Sequence, residues 1–172
     1  GKIRAIGASN VSPADLEAYL AAGTLDAVQE QYSMVHRDIE AEIAPLCIDN
    51  GVSILSYSSL ALGLLTGKIG PERSFEGDDL RINDPRFSAE SRRRAVAFAA
   101  EVTPMARAHG ASVAELVIAW TIRQPGITFA LCGARNPAQA RENARSGSIR
   151  LGASELAEIS AAAARHLAGI PG

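Results

Sequence analysis

The sequence predicts an α/β fold built on a parallel sheet. Short apolar runs at residues 3–7, 25–31, 52–57 and 127–132 alternate with helical patterns. The helical patterns carry recognisable starts, with Ser12-Pro13, Asp38, Ser112 or Asn136-Pro137 standing ahead of the apolar spacing. Strand followed by helix, four times over, is the signature of crossover connections between parallel strands. An open doubly wound sheet and a closed barrel both satisfy this pattern, and periodicity does not choose between them.

The first strand is read over residues 3–7. Ser12 then serves as a helix N-cap, Pro13 takes the first helical position, and Asp15 complements the positive end of the helix. Leu16 and Leu20 share one face, and Gly23 ends the helix. After the second strand, 25–31, a helix is expected from Asp38, with Ile39, Ile43, Leu46 and Cys47 on its buried face and Asn50-Gly51 closing it. The third strand is 52–57. Residues 58–88 read as a loop, with Gly63, Gly67, Gly70, Pro71, Gly77 and Pro85 among polar neighbours. A loop of that length inside a compact domain is usually functional or disordered.

Two helices follow. Residues 89–109 set Ala95, Ala99, Val102 and Ala106 on one stripe, and 113–124 open with a capping box from Ser112 to Glu115. The fourth strand is 127–132. Asn136-Pro137-Ala138-Gln139 reads as another capping box, and a last helix covers 154–168 with Leu156, Ile159 and Ala163 along its apolar side.

Composition excludes several classes. Of the 172 residues, 47% are hydrophobic and 21% charged, which rules out disorder, collagen and coiled coil for the chain as a whole. The net charge of −2 exerts no general pull toward nucleic acid or an anionic membrane, and neither is expected as a partner. There is no run of about 18 apolar residues, and Gly1-Lys2-Ile3-Arg4 lacks the apolar stretch of a signal peptide. Cys47 and Cys132 belong to no C-x-x-C pair and no His/Cys cluster, so zinc and thioredoxin-like chemistry are unsupported and no metal is expected. Two buried thiols in a reducing cytoplasm is the expectation. The chain starts on a strand pattern without Met, so residues 1–172 are expected to be a single-domain piece of something longer.

Most motif searches end in rejection. There is no G-x-G-x-x-G after a strand and no G-x-S-x-G. The stretch from Gly63 to Lys68 superficially resembles a phosphate loop, but its glycine spacing is one residue short, and Ile69 stands where a Ser or Thr would hold magnesium. His36, His109 and His166 have no metal-ligand spacing; the last two fall near helix ends, where a cation is favourable. Arg92-Arg93-Arg94 reads as a solvated helix face. Asn10-Val11-Ser12 matches a glycosylation sequon, but Ser12 already has a capping role.

What remains is a set of polar residues at the C-terminal ends of strands, where parallel α/β folds place their ligands. Ser9 and Asn10 follow the first strand, Gln29 and Gln31 share a side of the second, and Tyr57, Ser58 and Ser59 end the third. Gly133, Arg135 and Asn136 follow the fourth. Taken singly, Ser9 and Asn136 are turn or cap residues and Tyr57 a core-edge aromatic. Together they suit a neutral, amide-bearing ring stacked on Tyr57, with an anionic group near Arg135 and the helix that opens after Asn136.

These segments resemble the aldo/keto reductase family in its C-terminal half. The resemblance rests on residues 1–10, on Val28-Gln29-Glu30-Gln31-Tyr32 with Arg37, on Ser56-Tyr57-Ser58-Ser59-Leu60 with residues 63–68, and on residues 133–139 with Glu142-Asn143. It implies an NADPH-binding (β/α)8 barrel of which this chain carries the last four strand–helix units. By that resemblance Ser9, Asn10 and Gln29 would hydrogen-bond the nicotinamide carboxamide, and Tyr57 would stack on the ring. Ser58, Leu60 and Lys68 would line the pyrophosphate, and Ser59, Ala61 and Leu62 join the cofactor-binding segment. Gly133 would allow close backbone approach. Arg135 would meet a 2′-phosphate, and Gln139, Glu142 and Asn143 would hold the adenosine end. The loop from Leu60 to Phe87 would fold over the cofactor.

Two departures stand out. Ser59 occupies a position where the family usually has Pro. The family's catalytic Asp, Tyr, Lys and His lie on the first four strands, so no residue of this chain is assigned a catalytic role: Tyr19 lies inside a helix, Tyr32 follows the second strand, and Tyr57 is the stacking residue. The implied reaction is hydride transfer from NADPH to an aldehyde or ketone, with the proton coming from a tyrosine outside this chain. The implied partners are a small carbonyl substrate and either the N-terminal half barrel or a second copy, because four strands leave two open edges and an uncovered inner face. Alternative readings are a non-catalytic NADPH-binding module, an inactive truncated fragment, and a flavodoxin-like open sheet, for which residues 9–12 make a poor phosphate loop.

Overall fold

The computed structural model describes residues 1–172. Four strands form one parallel sheet in the order β1-β2-β3-β4: β1 is Gly7–Ser9, β2 Ala27–Gln31, β3 Ser53–Tyr57 and β4 Ile127–Leu131. Six helices accompany them: α1 Pro13–Ala22, α2 Ile43–Asn50, α3 Ala89–Ala108, α4 Val113–Thr121, α5 Pro137–Ser146 and α6 Ala153–Leu167. The chain divides into two compact units. The first is Gly1–Ser59 with Thr121–Cys132, and the second is Leu60–Trp120 with Gly133–Gly172. No helix is long and apolar enough to cross a membrane.

The first unit holds the whole sheet. Its faces alternate with the pleat. Val28, Glu30, Ile54 and Ser56 are buried on one face, together with Leu16 of α1 and Ile43, Ala44 and Cys47 of α2. The other face carries Ser9, Gln29, Leu55 and Phe129 in one register row and Gln31, Tyr57 and Leu131 in the next. There Phe129 is 56% exposed and Leu131 40% exposed. The register slips between Ile54 and Leu55, so that Thr128 of β4 is the extra residue. Its hydroxyl accepts from the Ile54 N–H at 3.1 Å, replacing the ladder bond that the bulge removes.

The elements depart from the sequence expectations at several ends. The first strand is not residues 3–7 but Gly7–Ser9, with Ile3 69% and Ile6 48% exposed. Ile6 is instead tied to Asp26, whose carboxylate accepts its N–H at 2.7 Å and whose own N–H donates to the Ile6 carbonyl. The helix expected from Asp38 is a short 3-10 turn, Asp38–Glu40, followed by α2. Pro45 explains the break. Its ring lacks an N–H and would clash with the Ala41 carbonyl, so α2 can start only within the turn that holds it. Leu46 is half-buried rather than buried, and so is Cys132; Cys47 alone is a fully buried thiol.

Several start and stop signals hold. Ser12 and Asp15 form a reciprocal capping box, with the Asp15 N–H donating to the Ser12 hydroxyl and the Ser12 N–H to the carboxylate. Gly51 closes α2 at φ 67°, a left-handed value that favours glycine. Ser112 and Glu115 make the box ahead of α4. At α5 only half the box exists. Asn136 caps the Gln139 N–H, but the Gln139 side chain accepts from Arg135 rather than from the cap residue.

The second unit is built around α3 and α6. Ala95, Ala99, Val102 and Ala106, with Phe98, are buried on α3, and Ile159, Ala162, Ala163 and Leu167 on α6. The alanines leave room for the two backbones to approach. Leu156 is only half-buried, but its carbonyl accepts from Ser160, whose hydroxyl in turn accepts from the Trp120 indole at 2.9 Å. His109 pairs with Glu155 and His166 with Glu101, which accounts for both as helix-end histidines. Between Ser59 and α3 the chain makes two short 3-10 turns, Ala61–Thr66 and Pro85–Phe87, joined by irregular backbone.

The arginine run is not uniformly a solvated face. Arg93 is exposed and pairs with Glu90, but Arg92 donates to the carbonyls of Gly70 and Arg73 and its Nε is buried. Arg92 thereby pins the segment after the first 3-10 turn onto α3, beside Phe75.

Candidate cofactor site

In the first unit the C-terminal ends of β1, β2 and β3 bring four of the expected residues together. The Ser9 hydroxyl donates to the Gln29 carbonyl at 3.0 Å, and the Asn10 N–H donates to the same carbonyl at 3.1 Å. The Tyr57 hydroxyl donates to Asn10 Oδ1 at 2.8 Å. Gln29 lies opposite Ser9 in the ladder and its side chain is exposed on the open face, while Tyr57 on that face is half-buried. Two amides, a hydroxyl and an aromatic ring thus border the same edge. An amide offers both a donor and an acceptor, which matches a carboxamide ligand.

The backbone here is unusual. Only four non-glycine residues have positive φ: Asn10 at 53°, Ser58 at 61°, Ala61 at 47° and Leu62 at 53°. All four are among the residues singled out from the sequence. Left-handed backbone at non-glycine positions costs energy and collects where a site needs it. Ser58 is half-buried at the surface end of β3. Ser59 is different: its side chain is buried, with Oγ 3.3 Å from the Ser56 Oγ. Ala61 is likewise 1% exposed.

The second unit contains the other expected residues, around the first turn of α5 and the 3-10 turn. Arg135 is exposed, and its N–H donates to Gln139 Oε1 at 2.7 Å. The Asn143 amide donates to the Gly133 carbonyl at 3.1 Å, so Gly133, Arg135, Gln139 and Asn143 form one local cluster. Glu142 Oε1 accepts from the Ser112 hydroxyl at 2.6 Å and lies 3.8 Å from Lys68 Nζ. Leu60 starts the 3-10 turn, its carbonyl accepting from Gly63 and Leu65. Leu62 is 41% exposed. Asp79 chelates Arg81, whose guanidinium holds the Asp79 carboxyl down to about 2, with a further pull from the charge of Arg135. The positive group at Arg135 and the N-terminus of a ten-residue helix suit an anion.

Tyr32 is buried and its hydroxyl donates to Glu40 at 2.5 Å, while Arg37 binds both oxygens of that carboxylate. Burial, and then Glu40, push the Tyr32 phenol far above its ordinary value. Sequence reasoning missed two polar anchors. Arg92 falls three residues before Ala95, on the inner stripe of α3, and that phase is the signal that marks it. Glu30 falls two residues after Val28, on the buried phase of β2, where a carboxylate is out of place without partners.

The model of the aldo/keto reductase family matches residues 1–164. Aldo-keto reductase YhdN of Bacillus subtilis is 40% identical over 140 residues, covering 81% of this chain and 42% of the relative. The NADH-specific methylglyoxal reductase of Escherichia coli is 37% identical over 151 residues, covering 88% and 46%. The chain therefore spans less than half the length of these relatives. Among solved structures, a glycerol dehydrogenase from Gluconobacter oxydans superposes with a TM-score of 0.89 at 33% identity, covering 97% of this chain and 51% of that one. A thermostable aldo-keto reductase at 21% identity shares the fold, with a TM-score of 0.67 and coverage of 93% and 48%.

Proposed function

Because the chain belongs to the aldo/keto reductase family, we propose that it is the nicotinamide-cofactor-binding, C-terminal half of a (β/α)8 barrel, and that the complete barrel reduces a small aldehyde or ketone. The observation that carries this is the Tyr57–Asn10 hydrogen bond beside Ser9 and Gln29 at one edge of the sheet. In this reading the cofactor, when bound, supplies the hydride. Asn10 and Gln29 hold the carboxamide by its donor and its acceptor, and Ser9 braces the Gln29 backbone. The Tyr57 ring, oriented by its hydroxyl, takes the face of the nicotinamide and leaves the other face to the substrate. The backbone of the 58–62 segment and Lys68 serve the pyrophosphate; Gln139, Glu142 and Asn143 serve the adenosine.

Arg135 is assigned to a 2′-phosphate, which makes NADPH the preferred cofactor. The E. coli relative is named for NADH specificity, so the preference is a property to be measured for each member. The apolar face of half-buried Leu55 with exposed Phe129 and Leu131 supports a barrel interior that further strands would close, from an N-terminal half or from a second copy. A cytoplasmic, reducing setting suits two cysteines that are not joined in a disulfide.

The test is a fluorescence titration of the intact protein with NADPH and with NADH, followed by turnover with a panel of small carbonyls. Saturable binding that weakens in Asn10→Ala and Tyr57→Ala is expected. Absence of binding to either cofactor in the unaltered protein would overturn the reading.

A further inference from the structure

Glu30 is 5% exposed, on the opposite face of β2 from Gln29. A carboxylate buried among apolar neighbours is costly unless donors are aimed at it. Here one is: the Val11 N–H donates to the carboxylate at 3.0 Å. Asn10 is the residue with φ 53°, and its side chain accepts the Tyr57 hydroxyl. Its N–H donates to the Gln29 carbonyl. The carboxylate therefore grips the β1–α1 turn from beneath at the residue that follows the left-handed Asn10, while Gln29, one position earlier on the same strand, holds the Asn10 N–H and faces the open side.

We infer that Glu30 is a positioning residue: its carboxylate holds the Asn10-Val11 backbone in the left-handed turn that presents the Asn10 amide to the nicotinamide carboxamide. The inference rests on the proposed function, since it needs a nicotinamide at Asn10. The alternative for a buried carboxylate at this place is plain structural support. The geometry argues against that role alone, because the donor to the carboxylate comes from the turn and not from the helices that cover this face. Burial raises the proton affinity of the carboxyl and the backbone of the turn pulls it back. A neutral amide in its place accepts more weakly than a carboxylate.

The experiment compares Glu30→Gln and Glu30→Ala with the unaltered intact protein, against three probes: NADPH, NADH, and adenosine 2′,5′-bisphosphate, which has no nicotinamide. Freeing the Val11 N–H from its carboxylate is expected to weaken both dinucleotides about tenfold in Glu30→Ala, and about threefold in Glu30→Gln. Affinity for the bisphosphate is expected to stay within about twofold in both, because that probe makes no use of Asn10. Parallel loss of all three probes would assign Glu30 to general support and overturn the inference. Unchanged dinucleotide affinity in Glu30→Gln would also overturn it, and that variant keeps the side-chain volume if Glu30→Ala does not fold. Failure of the unaltered protein to bind either dinucleotide would instead count against the proposed function.

Discussion

Tyr57 and Asn10, 47 positions apart, are joined by a 2.8 Å hydrogen bond that links the end of β3 to the turn after β1. The bond fixes an aromatic ring and an amide in one arrangement, which is the preorganisation a planar, amide-bearing ligand requires. Tyr57→Phe keeps the ring and loses the bond. It is expected to lower stability by about 1 kcal/mol in denaturant unfolding and to retain most cofactor affinity. Tyr57→Ala removes the ring as well and is expected to weaken NADPH about tenfold in the same titration. Equal affinities in the two variants would contradict a stacking role.

Arg135 is exposed, and its backbone, not its guanidinium, is what Gln139 holds. Arg135→Ala is therefore expected to leave the fold intact. If the guanidinium meets a 2′-phosphate, NADPH binding falls about tenfold while NADH binding stays within about twofold. Matched titrations with the two cofactors check this, and a loss common to both would remove Arg135 from the phosphate role.

Gly67 closes the first 3-10 turn at φ 72°, and a Cβ placed there would stand 2.9 Å from the Ala99 Cβ of α3. Gly67→Ala meets both a left-handed backbone and a rigid neighbour. A loss of about 1–3 kcal/mol is expected from thermal or denaturant melts. Leu62, at φ 53°, offers a finer test. Leu62→Ile conserves volume but puts a β-branch on left-handed backbone, so it is expected to cost about 1 kcal/mol more than Leu62→Met.

Glu115 is 1% exposed and its carboxylate accepts from Arg145 and from the Ser112 N–H. Burial alone would raise its proton affinity, but Arg145 and Ser112 outweigh it and leave the carboxyl below the ordinary 4.5. A depressed carboxyl contributes stability that is fully present above 4.5 and is lost as pH falls through the folded-state value. Glu115→Gln is expected to lower the melting temperature at neutral pH and to flatten the acid limb of the stability curve. An acid limb identical to that of the unaltered protein would show that other carboxylates set it.

Strand–helix alternation and helix starts were readable because capping and periodicity are local: Ser12-Pro13-Asp15, Asn50-Gly51 and Ser112-Glu115 each declare themselves within four residues. Their failures are local too. The run at residues 3–7 has a strand's composition, yet pairing begins only at Gly7, because the bonds of Ile6 go to Asp26. Pro45 overrides the apolar spacing that begins at Ile39. For the candidate site, Ser9, Asn10, Gln29 and Tyr57 could be named from strand ends, but Ser59 looked like its neighbours and points inward. Whether a side chain lies above or beneath a sharp turn depends on backbone angles that residue type does not encode, as Ser58 at φ 61° illustrates. Glu30 and Arg92 were missed because a charged residue on a buried phase reads as noise until its backbone partners are visible.

The open face of the sheet has a consequence for handling the isolated chain. Leu55, Phe129 and Leu131 lie in adjacent register rows, and the two on β4 are 56% and 40% exposed. Contiguous apolar surface of this kind sets a colloidal limit: molecules meet face to face before they meet at random. Light scattering on the isolated chain should therefore rise with concentration and with kosmotropic salt, and fall when Phe129 is replaced by Gln. The same apolar row that the sheet leaves open thus governs how concentrated a solution of the chain can become.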